Sequence, residues 1–382
     1  MKKYFYFIAA LILFLPALSS CDDGNEVSQD SETVVDSDSG ISSTDSIQGF
    51  YLLNEGQSGQ NNASLDYYNY ATGTYSLNKF GTVNSNASIG DTGNDIEIYG
   101  NKLYVVVNGS NMVQVLDATT CKQIKKISIP NCRDITFYKG KAYVSSYAGT
   151  LNWNNSNNRL GYVARVDTAE LSVSDTCNVG YQPEQMAIYG GKLYVANSGG
   201  FMPTYDNRVS VINLNTFKKE KDITVNVNLN KMLISKENEL FVSTNGDYYY
   251  NTSKLYVINP TTDAVTDSIN VSVSGMSKSG DSIYVYGSEY SYLTSKTTIS
   301  YHIVNTETHK VVSDQIITDG TSIASPYMIK VNPINKDIYI SDSGSTYGSP
   351  GILYCFNSKG KLKWQVTTGV GPGHIVFTKF KL

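Results

Sequence analysis

The sequence predicts an all-β chain folded as a seven-bladed β-propeller, with four antiparallel strands per blade. Three observations lead there. First, a strand ending in Asn or Asp recurs at Asn69, Asp117, Asp167, Asn213, Asn259, Asn305 and Asn357, 46 to 52 residues apart. That period is the size of a propeller blade. Second, an apolar-aromatic-apolar run recurs in phase at Tyr51, Tyr104, Tyr143, Tyr194, Phe241, Tyr284 and Tyr339, preceded by a marker at Ile96, Ile135, Met186, Met232, Met276, Met328 and His374. Third, each unit holds four short runs rich in Val, Ile, Tyr and Thr, bounded by Gly, Asn, Asp or Pro turns, and no helical period competes.

The first unit enters directly at Phe50-Tyr51-Leu52 and lacks an inner strand. The C-terminal run Pro372–Phe377 supplies it, so the last strand is expected to complete blade 1 and close the ring. The repeats resemble the Tyr-Val-Thr-Asn type of surface propeller repeat. Leu193–Asn197 with Val209–Asn213 is the closest copy, and Leu103–Val107 with Val113–Asp117 is another.

Ahead of the repeats, Lys2 and Lys3 precede an apolar run from Tyr4 to Leu18, the pattern of a secretory signal over residues 1–20. The run closes on Leu18-Ser19-Ser20-Cys21, which resembles a bacterial lipobox with Cys21 as the lipidated residue. Residues 22–48 carry eight acids and no Lys or Arg, so 21–48 reads as a lipidated cysteine on an acidic, flexible tether. The propeller is assigned to 49–382. With the tether and the two signal lysines set aside it holds 28 bases and 26 acids. A body near +2 has no electrostatic footprint for nucleic acid, and three His in 382 residues argue against a histidine-rich metal centre.

With the strands of a blade lettered A to D outward from the axis, alternation places the B–C and D–A loops on one face and the A–B and C–D turns on the other. The turns are short. The B–C loops are long: 54–62, 146–160, 197–207, 245–253, 287–298 and 341–350. Blade 2 has a short one near Asn108-Gly109-Ser110-Asn111. One face is therefore elaborated for binding. Its aromatic candidates are Tyr147, Trp153, Phe201, Tyr205, Tyr248, Tyr249, Tyr250, Tyr290, Tyr292 and Tyr347, with Tyr327 from a D–A loop. Its amide candidates are Asn54, Asn94, Gln182, Asn197 and Asn245. Tyrosine gives rigid contact area with a polar tip, and amides hydrogen-bond in both senses. Glu55, Arg133, Glu184, Asp342 and the axial His374 complete the set, as ligand groups or as anchors of loop backbone.

No zinc-protease helix motif, phosphate-cradling loop or nucleophile elbow is present, and no acid/base pair follows from spacing. The reading is a binding protein without catalytic residues, metal or intrinsic cofactor. Cys121 and Cys132 sit at opposite ends of one strand, about 23 Å apart, too far for a disulfide. Cys121, Cys132, Cys177 and Cys355 are expected to be buried free thiols.

The whole of 21–382 resembles a Bacteroidetes-type surface lipoprotein, and within those the BtuG family of cobalamin-binding propellers. The likeness rests on Cys21, the acidic tether, Phe50–Gly56, Ala63–Tyr67, Gly93–Tyr99 and Pro183–Ile188. It implies an outer-membrane, lipid-anchored, cell-surface protein, monomeric as a propeller. Such a protein captures cobalamin or a related corrinoid and passes it to a TonB-dependent outer-membrane transporter. The competing readings are a glycan-binding lipoprotein, a propeller hydrolase or lyase with His374 as metal ligand, and a scaffold for a protein complex.

Overall fold

The structure, a computed structural model, describes residues 46–380. The signal segment, Cys21 and nearly all of the tether lie outside them. Seven four-stranded antiparallel sheets form the blades, and six of them run outward in chain order. Blade 1 is the exception: its order is Pro372–Phe380, Ser46–Asn54, Ser64–Asn69, Thr74–Ser76. The C-terminal strand thus closes the ring as its inner strand. The entering strand begins at Ser46, within the stretch assigned to the tether, and Ser46 and Ile47 pair with Phe380 and Lys379.

The recurring Asn/Asp closes the C–D turn. Its side-chain oxygen accepts backbone N–H groups two and three residues on: Asp117 from Thr119 and Thr120, Asn213 from Asn215 and Thr216, Asn259 from Thr261 and Thr262. Such Asx turns fix the hairpin without a glycine. The recurring Tyr lies in strand B, buried between sheets. In two blades its hydroxyl reaches the next blade's turn, Tyr51 to the Ala118 carbonyl at 3.1 Å and Tyr194 to that of Pro260 at 2.9 Å, whereas the Tyr104 hydroxyl is buried without a partner and blade 5 has Phe241. Where the hydroxyl finds that partner, one side chain both fills the core and ties blade to blade. Cys121, Cys132, Cys177 and Cys355 are buried free thiols.

Three expectations change. The loop expected at 287–298 is mostly strand: Ser282–Ser291 and Lys296–Asn305 pair along their whole length as a long hairpin. The connection after blade 1 carries a short helix, Lys79–Val83, that seats Phe80 in the core. Finally, the inner-strand marker slips by one in two blades. Ile96, Ile135, Met186, Met232 and Met276 each pair with the residue that follows the aromatic marker, and so do Ile329 and Ile375, not Met328 and His374. Met328 resembles the methionines of blades 4 to 6, which misled the reading.

On the face of the short turns, His309 of blade 6 clamps onto blade 5. Its Nε2 lies 2.8 Å from Glu239 Oε2 and its Nδ1 3.0 Å from Asp267 Oδ2, with the ring edge-on to Phe241. Burial disfavours the charged imidazole, but the two carboxylates outweigh it and raise its pKa above 6.5. A raised pKa stabilises the fold fully below the unfolded value, and that increment fades as pH rises through the folded one. Thermal melts of His309→Gln and the parent should therefore differ most between the carboxylate range and pH 6.5, and converge as the solution becomes alkaline. A gap that widens with pH would exclude the charged clamp.

Candidate functional site

Propeller inner strands crowd the axis, and here six of the seven begin with a β-bulge; only that of blade 6, Gly275–Ser279, pairs regularly. A bulge leaves one residue unpaired and re-aims it. The irregularity leaves Gly373, Asn94 and Tyr327 unpaired in blades 1, 2 and 7, and in blades 3, 4 and 5 the pairs Arg133 and Asp134, Glu184 and Gln185, and Asn230 and Lys231, of which the first members sit nearest the strand entrance. All but Gly373 line one cavity of about 430 Å³ at the axial mouth on the elaborated face. Glu55, at the exit of strand Ser46–Asn54, and His374 join them.

The next residue of each inner strand forms a second ring, one step deeper: His374, Asp95, Asp134, Gln185, Lys231, Gly275 and Met328. Here side chains stitch the blades together. Asp95 accepts from the Ile135 N–H at 2.9 Å, Asp134 from Met186 at 3.0 Å and Gln185 from Met232 at 3.0 Å, each reaching the following blade. Below this ring a narrower channel of about 220 Å³ runs between apolar side chains including Ile96, Ile135, Met186 and Met232.

The carboxylates of the mouth are compensated locally. Glu184 takes Arg133 Nε and Nη2 at 3.3 Å on one oxygen, and the hydroxyls of Tyr147 and Ser198 on the other. Arg133 also donates to Asn94 Oδ1 at 3.0 Å and lies over the Tyr147 ring, 4.9 Å from its centroid. Glu55 receives the Tyr327 hydroxyl at 2.6 Å, and His374 stands between Glu55 at 3.6 Å and Asp95 at 3.7 Å. Burial opposes ionisation of Glu55, but His374, the Tyr327 hydroxyl and the Lys231 charge prevail and hold its pKa below the usual value. Asp134 is pushed the other way, first by burial and then by the charge of Asp95. A side-chain hydrogen bond with Asp95 raises it further, while the Met186 N–H and the Lys231 charge oppose the shift. The arrangement positions donors and acceptors around a cavity, with each carboxylate already held by protein groups.

Two aromatic groups flank the mouth on the same face. Over blades 4 to 6, Tyr249 and Tyr292 stack at 5.0 Å, Tyr248 and Tyr290 meet Tyr292 edge-on, and half-buried Tyr205 lies beside them. Asp247 holds this loop by accepting the N–H groups of Tyr249, Tyr250 and Asn251. Tyr250 is 82% exposed. Over blades 3 and 4, Trp153, 74% exposed, meets Phe201 edge-on at the end of a trough of about 560 Å³ that Arg133 and Tyr147 share. Tyr347 stands exposed on blade 7.

Of the residues predicted from sequence, Glu55, Asn94, Arg133, Glu184, Tyr327 and His374 converge on the mouth, with Tyr147 buried beneath Arg133. Four others are loop anchors. Asn54 is buried against Ser64 and Asp66. Gln182 holds the Phe201 N–H, and Asn197 bridges Gly180 and Arg208. Asp342 accepts from Ala324, Ser325 and Gly344. All four are buried beneath the loops, so the open surface does not include them. Asn245 is half-buried beside the blade 5 loop. Sequence reading missed Asp95, Asp134, Gln185, Asn230 and Lys231. The signal was present as the two polar residues directly before the Ile/Met marker in blades 2 to 5. No group of three or more His, Cys, Asp or Glu placed to hold a metal occurs among the described residues.

A family model described as a domain of unknown function, DUF5074, matches residues 48–370. The chain belongs to this family. No curated protein matches it. Among solved structures, the DUF5074 chain is similar to a quinonprotein alcohol dehydrogenase-like protein of Bacteroides thetaiotaomicron: TM-score 0.59, 14% identity, 87% of this chain and 79% of that one. It is also similar to hydrazine synthase of Kuenenia stuttgartiensis: TM-score 0.56, 17% identity, 72% of this chain and 85% of that one. At such identities the likeness concerns the propeller fold alone.

Proposed function

We propose that this DUF5074 propeller is a ligand-capture protein that holds a broad polar molecule across its axial mouth. The observation that carries the reading is the bulge-built mouth, with exposed tyrosines and a tryptophan flanking it on one face. The ligand class we propose is a corrinoid, as the resemblance to the BtuG family implies. A ring edged with amides suits a rigid surface of Asn, Tyr and one Arg, contacted from several blades at little ordering cost. The same resemblance and the lipobox at Cys21 support a lipid-anchored cell-surface protein that hands its ligand to a TonB-dependent outer-membrane transporter. Capture without catalysis fits a mouth whose carboxylates are each engaged by neighbouring donors. Glycan binding is the second reading, favoured by the Tyr249–Tyr292 stack, since sugars also lie on exposed aromatic faces.

Calorimetric titration with cyanocobalamin tests this. Saturable binding is expected. The double variant Tyr249→Ala/Tyr292→Ala should weaken it about tenfold or more with little change in melting temperature, because both rings stand outside the core. Thr216→Ala and Thr262→Ala, on the opposite face, should leave binding unchanged. Binding lost in the threonine variants but not in the tyrosine variant would place the ligand on the wrong face for this reading. No corrinoid binding, with a glycan shifting the melting temperature instead, would replace the ligand class.

A further inference from the structure

The second ring of the mouth holds one residue that breaks its rule. Asp95, Asp134 and Gln185 each place an acceptor where it ties down the N–H of the next blade's inner strand. At the corresponding position of blade 5 stands Lys231, which has donors and no acceptor. That position gives up the stitch its three predecessors make. Among the described residues no side-chain hydrogen bond or ion pair holds the Lys231 ammonium. It borders both the mouth and the channel below it, and it acts on Glu55 and Asp134 only through space. The surrounding carboxylates are in use. Glu184 is taken by Arg133, Tyr147 and Ser198, Glu55 by Tyr327 and His374, and Asp95 by the N–H groups of Ile96 and Ile135. What the mouth leaves unsatisfied is a donor.

We propose that Lys231 is the anchor of an anion subsite at the channel entrance, receiving a phosphate or carboxylate group of the bound ligand. Asn230 beside it and the mostly buried Arg133 border the same cavity and supply further donors. This rests on the capture reading and deepens it, by naming the charged group that the ligand must present to the axis. A half-buried ammonium inside a concave mouth binds an oxyanion more tightly than the same group on an open surface. A ligand lying across the mouth is thereby oriented, with its anionic group pointing down the axis.

The test titrates the full chain with inorganic phosphate and, separately, with citrate, following binding by the ammonium resonances of labelled lysine. Lys231 should respond saturably to one or both probes. Lys231→Met should weaken that binding about tenfold to a hundredfold, and Thr262→Ala should leave it unchanged. Lys231→Gln restores an acceptor of the kind Gln185 supplies, so it should lose the anion while melting no lower than the parent. That combination separates an anchor from a merely structural lysine. Anion binding unaltered in Lys231→Met, or no response of Lys231 to either probe, overturns the proposal. Cyanocobalamin is titrated into the same samples. Corrinoid binding of equal strength in parent and Lys231→Met sinks the subsite and leaves the capture reading standing. Anion binding that depends on Lys231 without any corrinoid binding does the reverse.

Discussion

A chain ended at Val370 should fail to form a cooperative propeller. The lost strand, Pro372–Phe380, is the inner strand of blade 1, paired with Ser46–Asn54 from end to end. Ile375, Val376 and Phe377 are at most 4% exposed. They pack in two directions: Ile375 and Phe377 with Tyr339 and Leu353 of blade 7, Val376 with Ile96 and Leu103 of blade 2. At about 1.5–3 kcal/mol for each buried apolar side chain, their loss comes to about 5–9 kcal/mol. That is the order of a whole domain's stability. The truncation also bares the ladder groups of Ser46–Asn54 at the axis, an edge that invites aggregation. Circular dichroism should show a broad or absent transition, and the protein should associate. A sharp melt at the parent temperature would mean that the ring does not depend on this strand.

The ring was legible because its period is written in side chains with distinct tasks. The Asn or Asp that closes each C–D turn must sit at a fixed place, and so must the aromatic ring packed between neighbouring blades. Seven copies in phase therefore give blade number, strand order and the elaborated face. What periodicity does not carry is a change of pairing within a strand. A bulge adds one residue without altering composition, so Met328 and His374 passed for members of the apolar row to which Ile329 and Ile375 belong. The same cause hid much of the mouth. Asn94 and Arg133 were read as candidates because their loops lie on the elaborated face, while Lys231 and Asn230, in the equivalent places of blade 5, drew no attention. Burial is the other silent quantity. Asn54, Gln182, Asn197 and Asp342 share composition with a binding surface, but all four are buried against backbone or side-chain groups brought close only by the fold. The hairpin around Tyr290 and Tyr292 looked like a loop because its polar, Thr- and Ser-rich strands lack an apolar face to announce them.

Replacing Glu184 by Ala should be the most damaging single change at the site. Glu184 is 12% exposed and its partner Arg133 26% exposed, so the pair is mostly but not wholly screened from water. Removing the carboxylate strands the guanidinium and leaves the buried Tyr147 hydroxyl without its acceptor, while Ser198 retains the Gln182 carbonyl. An uncompensated buried charge costs about 3–5 kcal/mol, and partial exposure lowers this to about 2 kcal/mol. Arg133→Met alone should cost less, because Glu184 keeps both hydroxyl donors. The double variant Glu184→Ala/Arg133→Met should then be more stable than Glu184→Ala, since no charge is left unpaired, and the double-mutant cycle should give a coupling of at least about 1 kcal/mol. Denaturant unfolding of the four proteins measures it, and purely additive effects would show that the pair is solvated and does not brace the mouth. The same cycle bears on binding. Arg133 is held in place by Glu184, Asn94 and the face of Tyr147, so losing Glu184 frees a guanidinium the ligand needs fixed. Cyanocobalamin affinity should fall in Glu184→Ala even in the temperature range where that variant remains folded.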